Sequence, residues 1–293
     1  MSGSSQRISV EPLTPTIGAE ISGVDLGNLD DETFEEIHNA WMKHLVLFFR
    51  DQTLTPEQHL AFGRRFGPLH EHPAADYADG DPALMVIHTD AQSKRNNGGG
   101  WHTDVSSDEE PPLGTILHLH ELPSQGGDTL FINMYAVFES LSPAMQQFLS
   151  TLSAVHMLDY GALYGRDGHR ENPRSVHPVV RTHPVTGRNA LFVNPGFTRQ
   201  IEGLTRGESD ALLAYLFEHA RQPRFQCRFK WSKHALAMWD DRCTWHMALW
   251  DYFPETRSGL RVTVKGDRPA FDPASLASAD DAEDGRELSA MKL

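Results

Sequence analysis

The chain has 293 residues, a hydrophobic fraction of 39%, a charged fraction of 23% and a net charge of −14, with Lys and Arg scattered rather than clustered. That balance fits a folded protein with a substantial core and excludes a nucleic-acid partner, because phosphate-backbone binding rests on clustered cations that release counterions. Cys227 and Cys243 cannot build a disulfide framework, Met1 to Arg7 contain no apolar signal region, and the longest apolar run, Leu45 to Phe49, is far short of the roughly 20 residues a membrane-spanning helix needs, so a cytoplasmic protein with no membrane partner is expected.

Ile8 to Leu26 mixes short β-type runs with Gly18 and Gly23. Asp30 then opens a helix carrying Phe34, Ile37 and Trp41 at helical spacing, and Leu45 to Phe49 reads as a buried strand. Thr55-Pro-Glu-Gln58 has the form of a capping box with Pro at the first helical position, leading an amphipathic helix through Leu60 and Phe66.

From Leu84 the pattern changes to short strand-like runs, Leu84 to His88, Gly114 to His120 and Thr129 to Ile132, separated by loops such as Asn96 to Gly100. Ser142-Pro143 starts a helix that turns Met145, Phe148, Leu149 and Leu152 inward. Met157 to Arg174 has no period and carries Tyr160, Tyr164, Arg166, His169 and Arg170, which fits a lid or a plain surface loop. Strands resume at Val176 to Arg181 and Ala190 to Val193, Thr205-Arg-Gly-Glu208 is a second capping box, and the last strands fall near Phe225 to Phe229, Ala235 to Trp239 and Arg261 to Val264. With no repeat and no composition break before Asp272, the expected organisation is one domain over residues 1–270 and a mobile acidic tail over 271–293. Many short strands flanked by helices give an α+β, mainly β class built on a β-sandwich or jelly-roll core.

Trp101-His-Thr-Asp104 places His102 and Asp104 on one face of an extended segment, since side chains alternate along a strand. His246, far along the chain after Trp239-Asp-Asp-Arg-Cys-Thr-Trp, can complete two histidines and one carboxylate, a facial triad that leaves adjacent positions on a non-haem iron(II) ion for co-substrate and dioxygen. His-X-Asp alone is a weak signal, and the same donors suit a zinc hydrolase. Arg257 and Arg261, eleven and fifteen positions after His246, add context. A planar guanidinium holds a carboxylate through two parallel hydrogen bonds, so one arginine suits the distal carboxylate of 2-oxoglutarate and the other an anionic substrate. A catalytically silent jelly-roll binding protein would have little use for that set.

Arg65-Phe-Gly-Pro-Leu-His-Glu-His-Pro73, Trp101-His-Thr-Asp-Val105, Leu122-Pro-Ser-Gln-Gly-Gly-Asp-Thr-Leu130, His177-Pro-Val-Val-Arg-Thr-His-Pro184 and Trp239-Asp-Asp-Arg through His246 together resemble the taurine dioxygenase family of iron(II)/2-oxoglutarate oxygenases over about residues 8 to 270. The resemblance implies a double-stranded β-helix (jelly-roll, cupin-like) core with flanking helices and a homo-oligomer. It also implies His102, Asp104 and His246 as catalytic iron ligands, Thr129 and Arg257 binding 2-oxoglutarate, and His72, Val105, Phe197 and Arg261 contacting a small anionic substrate. The chain departs from the family where the taurine amine would bind: Ala75 and Gly98 replace a tyrosine and an asparagine, and Ala162 replaces a pocket phenylalanine. With the anion clamp kept and the amine contacts gone, alkyl sulfonates and alkyl sulfate esters fit best, with aryloxyalkanoate carboxylates as the alternative. Hydroxylation beside the heteroatom would consume dioxygen and 2-oxoglutarate and release succinate and carbon dioxide.

Overall fold

A computed structural model describes residues 7–71, 81–96, 98–158 and 172–276. Strands β1 (Ser9–Pro12) and β2 (Ala19–Ser22) come first, and Asp30 then accepts a hydrogen bond from Thr33 N to cap α1 (Asp31–His44). Leu45 ends that helix in a left-handed conformation, φ 66°, and feeds β3 (Val46–Phe49). The Thr55 capping box closes as the sequence reads, with Gln58 returning to the Thr55 backbone, and starts α2 (Pro56–Arg64). β4 (Leu84–Thr89), β5 (Gly114–Glu121) and β6 (Thr129–Asn133) follow, then α3 (Met134–Glu139) and α4 (Pro143–Leu149), the latter capped by Ser142.

The chain continues through β7 (Ser153–Met157), β8 (Arg174–Pro178), β9 (Val180–Thr182), β10 (Asn189–Leu191), β11 (Thr198–Ile201) and α5 (Arg206–Ala220), whose capping box joins Thr205 to Glu208. β12 (Gln226–Phe229), β13 (Leu236–Asp240), β14 (Thr244–Ala248) and β15 (Arg257–Val264) complete it. Phe271 and Leu276, both within the stretch 271–293 expected to be a mobile tail, pack on the core. His72, Ala75, Ala162, the Tyr160 to Arg170 residues and the tail after Leu276 lie outside the described residues.

The frame is a seven-stranded sheet in the order β1-β2-β3-β13-β5-β15-β4, antiparallel except for the β2–β3 pair, facing a three-stranded sheet in the order β12-β6-β14. Strict alternation explains why the central strands read as continuous apolar runs. Val46 and Phe48 of β3, Leu117 and Leu119 of β5, and Ala237 and Trp239 of β13 face the small sheet, whereas Leu47, Phe49, Ile116, Leu236 and Met238 face outward under α1 and α2. Phe48 stacks on Phe229 at 4.0 Å and meets Phe131 edge-on at 5.6 Å across the sandwich. Truncating such a ring removes about 3–5 kcal/mol. The two facing sheets form the double-stranded β-helix core of the family fold, and the chemistry-bearing residues sit at one end of it. Among the described residues, no helix is long and apolar enough to cross a membrane.

Candidate active site

Two backbone hydrogen bonds bring distant parts of the chain together. His102 N donates to His246 O at 3.1 Å and His246 N donates to His102 O at 2.9 Å, so the two residues form one antiparallel bridge and their rings lie 4.2 Å apart. His246 comes after β13 and lies inside β14, paired with Phe131 of β6. Alternation turns its ring inward, 4.7 Å from Trp239, and turns Trp245 outward against Phe217 of α5. Trp245 therefore packs the far side of the sheet.

The extended reading of residues 101–104 holds only at the bridge. From Asp104 the chain turns, with Asp108 N donating to Val105 O, and Val105 adopts φ 44°. A β-branched residue in the left-handed region is a strained outlier, costing of order 1–3 kcal/mol, and such strain concentrates at functional turns. The turn delivers Asp104 between the two imidazoles, Oδ1 3.7 Å from His102 Nε2 and Oδ2 3.8 Å from His246 Nε2. These separations are too long for hydrogen bonds, and the donor atoms of all three residues lie within 4.8 Å of one another, in reach of a single cation.

Protonation states fit a metal as well. His102 Nδ1 donates to Gly100 O at 2.7 Å, which fixes the tautomer and leaves the Nε2 lone pair facing Asp104. Burial, then His102, holds His246 well below the ordinary imidazole range and so neutral, as a ligand must be. Burial pushes the Asp104 carboxyl up, but Arg261 and the two imidazoles outweigh it and keep the carboxylate ionised. Arg261 Nη1 donates to Asp104 Oδ1 at 3.1 Å, and Thr115 Oγ1 lies 2.9 Å from Asp104 Oδ2. Asp241 supports the turn from behind, accepting from Asp104 N at 3.3 Å and Trp239 Nε1 at 3.1 Å.

A second group with ligand-like spacing, His183, Asp240 and Cys243, reads differently. His183 Nδ1 accepts from Val185 N and Thr186 N, so its proton sits on Nε2 and is donated to Asp240 Oδ2 at 3.0 Å. Arg242 takes both Asp240 oxygens, and burial pushes the Cys243 thiol far up. No lone pair is left to bind a metal, and the group holds the β13–β14 turn together.

Arg257 begins β15 almost fully buried, and no carboxylate of the described residues makes an ion pair with it. Its Nε donates to Gly127 O at 3.1 Å and its Nη2 reaches Thr129 Oγ1 at 3.4 Å, while Trp231 donates to the same hydroxyl at 3.0 Å and lies beneath the guanidinium at 5.5 Å. Burial lowers this arginine to about 10 against the opposing fields of Tyr252 and Asp128, and a guanidinium with no ion-pair partner among the described residues can receive a ligand's carboxylate. Arg261 follows four positions later on the same face of β15.

The Phe197 ring stands 6.5 Å from the His102 ring on the open side of the cluster. Gly98, at φ 127°, faces the same space: a Cβ there would lie 3.6 Å from His102 Cε1 and 3.8 Å from Ala248 Cβ. Asn96 turns its amide to Ala248 O and Asn97 lies outside the described residues, so Asn96 does not replace the polar side chain that Gly98 lacks. His118, the alternating histidine of β5, bonds to Gln52 O away from the cluster. The structure thus gathers His102, Asp104, His246, Val105, Phe197 and Arg261 around one space and sets Thr129 with Arg257 as a unit. Sequence reasoning did not single out Trp231, Thr115 or Asp241. Asp241 sits in the quoted Trp239-Asp-Asp-Arg run, and only the fold links the other two to the site.

Comparison with known proteins agrees with this geometry. The family model described as taurine catabolism dioxygenase TauD, TfdA family matches residues 9–263. An alpha-ketoglutarate-dependent sulfonate dioxygenase of Saccharomyces cerevisiae is 34% identical, covering 91% of this chain and 69% of that protein. An alpha-ketoglutarate-dependent sulfate ester dioxygenase of Pseudomonas putida is 35% identical over 90% of this chain and 91% of its own. The crystal structure of a taurine dioxygenase from Burkholderia xenovorans superposes with a TM-score of 0.82 at 38% identity, covering 92% of this chain and 94% of that one. The chain belongs to the TauD, TfdA family and is a dioxygenase that uses iron(II), dioxygen and 2-oxoglutarate (alpha-ketoglutarate).

Proposed function

We propose that the protein oxidises small alkyl sulfonates or alkyl sulfate esters at the carbon beside the heteroatom. His102, Asp104 and His246 hold the iron, Thr129 and Arg257 hold the distal carboxylate of 2-oxoglutarate, and Arg261, His72 and the Val105 N–H receive the substrate anion. When bound, the iron supplies activation of dioxygen at the expense of 2-oxoglutarate, which leaves as succinate and carbon dioxide. The protein orients the substrate and keeps water away. Substrate, 2-oxoglutarate and dioxygen give an aldehyde with sulfite from a sulfonate, or an aldehyde with sulfate from a sulfate ester, because the hydroxylated carbon expels its sulfur-bearing substituent.

The observation that carries this reading is the contrast between the two ends of the space over the cluster. At one end the Arg261 Nε is buried without a partner among the described residues, a donor that an oxyanion satisfies. At the other, Gly98, Ala248 and Phe197 present no charge among the described residues, which suits an apolar body better than an amine.

The test is succinate formation from 2-oxoglutarate with iron(II) and air in the presence of taurine, alkyl sulfonates, alkyl sulfate esters or aryloxyalkanoates, with His246→Ala as blank. Stimulation by the sulfonates or sulfate esters above taurine is expected. Stimulation by aryloxyalkanoates alone would replace the sulfur anion with a carboxylate, and failure of all four would refute the substrate class.

A further inference from the structure

Asn194, in the turn between β10 and β11, makes three hydrogen bonds that join the two sides of the substrate space. Its Oδ1 accepts from Phe197 N at 2.9 Å, its Nδ2 donates to Ser106 Oγ at 2.9 Å, and its own N–H donates to Thr198 Oγ1 at 2.8 Å. Because the Phe197 amide can only donate, the orientation of the Asn194 carboxamide is settled, and Ser106 Oγ must accept from it. Ser106 Oγ also bonds to His156 Nδ1 at 3.0 Å, and the opposite nitrogen of that ring faces Thr198 Oγ1 at 3.4 Å.

Ser106, His156, Asn194 and Thr198 are all buried. Burial holds His156 down to about 3, so the ring is neutral, with one nitrogen donating and the other accepting. Each side chain of this network has a buried polar partner, and such a network fixes geometry because pulling it apart strands a polar group. What it fixes is specific. Phe197 is the aromatic wall, and Ser106 follows Val105, the strained residue of the Asp104 turn. Between Asn194 and Phe197, Gly196 lies so close to the cluster that an added Cβ would meet His102 Cβ at 2.8 Å.

We propose that Asn194 is a positioning residue for the reaction: through Ser106 it ties the Gly196-Phe197 wall to the Asp104-Val105 turn, so that both sides of the substrate space keep one spacing over His102, Asp104 and His246. The inference rests on the preceding reading, which gives Phe197 and Val105 their substrate contacts. Its consequence is efficiency of use. A displacement of about 1 Å between substrate and reacting centre costs on the order of 100-fold, and a wall that drifts lets 2-oxoglutarate be consumed without matching substrate oxidation.

The experiment uses the iron-loaded enzyme with Ser106→Ala, Ser106→Thr and Asn194→Ala, and pentanesulfonate and hexyl sulfate as probes. In Ser106→Ala the probe KM rises about tenfold, as for one lost buried hydrogen bond. The ratio of aldehyde to succinate falls, while 2-oxoglutarate and iron(II) affinity stay within about twofold. Ser106→Thr keeps the hydroxyl and restores both quantities. Hydrogen exchange, which needs no substrate, reads the same tie: the Phe197 amide exchanges about tenfold faster in Ser106→Ala, although its own acceptor on Asn194 is untouched.

If neither probe stimulates turnover but exchange at Phe197 rises, the network stands and the substrate reading falls. If exchange at Phe197 and the aldehyde-to-succinate ratio are unchanged in Ser106→Ala, the proposal is overturned. It is overturned too if KM for probe, 2-oxoglutarate and iron(II) all rise together, since that marks general loosening. Should Asn194→Ala fail to fold, the Ser106 pair decides alone.

Discussion

Arg261 Nη1 donates to Asp104 Oδ1 at 3.1 Å while its buried Nε has no partner among the described residues, so the guanidinium is anchored to the carboxylate of the His102, Asp104 and His246 cluster and still has bonding capacity to spare. Under the proposed function, that arrangement would link substrate charge to the cluster. Arg261→Gln removes the charge but keeps a donor of similar length. Losing one member of a buried charged pair costs about 2–5 kcal/mol, so the KM for a stimulating anion rises at least about 30-fold, while slow substrate-independent succinate formation persists. Arg261→Lys restores a point charge without the planar fork and recovers only part of this. Succinate formation against anion concentration reads both, and an unchanged KM in Arg261→Gln would remove Arg261 from the substrate site.

Arg257 offers a separate test because it contacts Thr129 and Gly127 rather than the cluster. Arg257→Met leaves the packing on Trp231 largely filled and deletes the cation, so 2-oxoglutarate binding weakens by about 100-fold or more, with iron(II) affinity nearly unchanged. Thr129→Val costs less, about tenfold, since one neutral hydrogen bond is lost. Calorimetric titration of 2-oxoglutarate into the metal-loaded protein separates the two. Equal weakening of metal and 2-oxoglutarate in Arg257→Met would mean that the residue supports the fold instead.

The sequence was most legible where local rules decide the outcome. Asp30, Thr55, Ser142 and Thr205 cap helices as their spacing implies, and the run ending at Phe49 is a strand buried on both faces. The residues of the metal cluster were legible as a set, but not the backbone that holds them, because an isolated bridge between His102 and His246 leaves no periodic trace. The same holds for the turn at Val105, where a β-branched residue adopts a conformation its type disfavours. Trp231, Thr115, Asn194 and Ser106 escaped for a different reason: each acts through a partner about 90 or more positions away or across a sheet, so nothing in their local sequence distinguishes them from ordinary core polar residues.

Thr115 Oγ1 lies 2.8 Å from Asp241 Oδ2 and 2.9 Å from Asp104 Oδ2, yet one hydroxyl can donate only once. A second proton must lie in this triangle. Asp104 faces Arg261 and two imidazoles, whereas Asp241 is raised by burial and by Asp104 itself, so the proton belongs to Asp241, which donates to Thr115 while Thr115 donates to Asp104. Asn at this position presents the same donor and acceptor. Asp241→Asn is therefore expected to keep melting temperature and iron(II) affinity close to wild type, while Asp241→Ala leaves the Asp104 N–H and Trp239 Nε1 unpaired at about 1–3 kcal/mol each. Thermal melting with iron(II) titration distinguishes these outcomes; damage from Asn as severe as from Ala would put the charge back on Asp241.

Two of the buried histidines, His59 and His156, add to the acid sensitivity of the fold. His59, packed 6.0 Å from the His118 ring and bonded through Nε2 to Ile116 O, is held down to about 3 by burial and by His118, and His156 is held at about 3 by burial and by His177. Both are neutral in the native state and take up a proton near pH 6.5 once unfolded. Between about pH 6.5 and pH 3 the unfolded chain binds more protons, so stability falls with falling pH, by about 1.4 kcal/mol per unit for each histidine. Down to pH 5 the pair removes about 4 kcal/mol, a large share of a typical total of about 5–15 kcal/mol. His59→Gln, whose amide can still donate to Ile116 O, should lower the slope by about 1.4 kcal/mol per pH unit. Urea unfolding at pH 7, 6 and 5 measures it, and an unaltered slope in His59→Gln would assign the acid sensitivity to other groups.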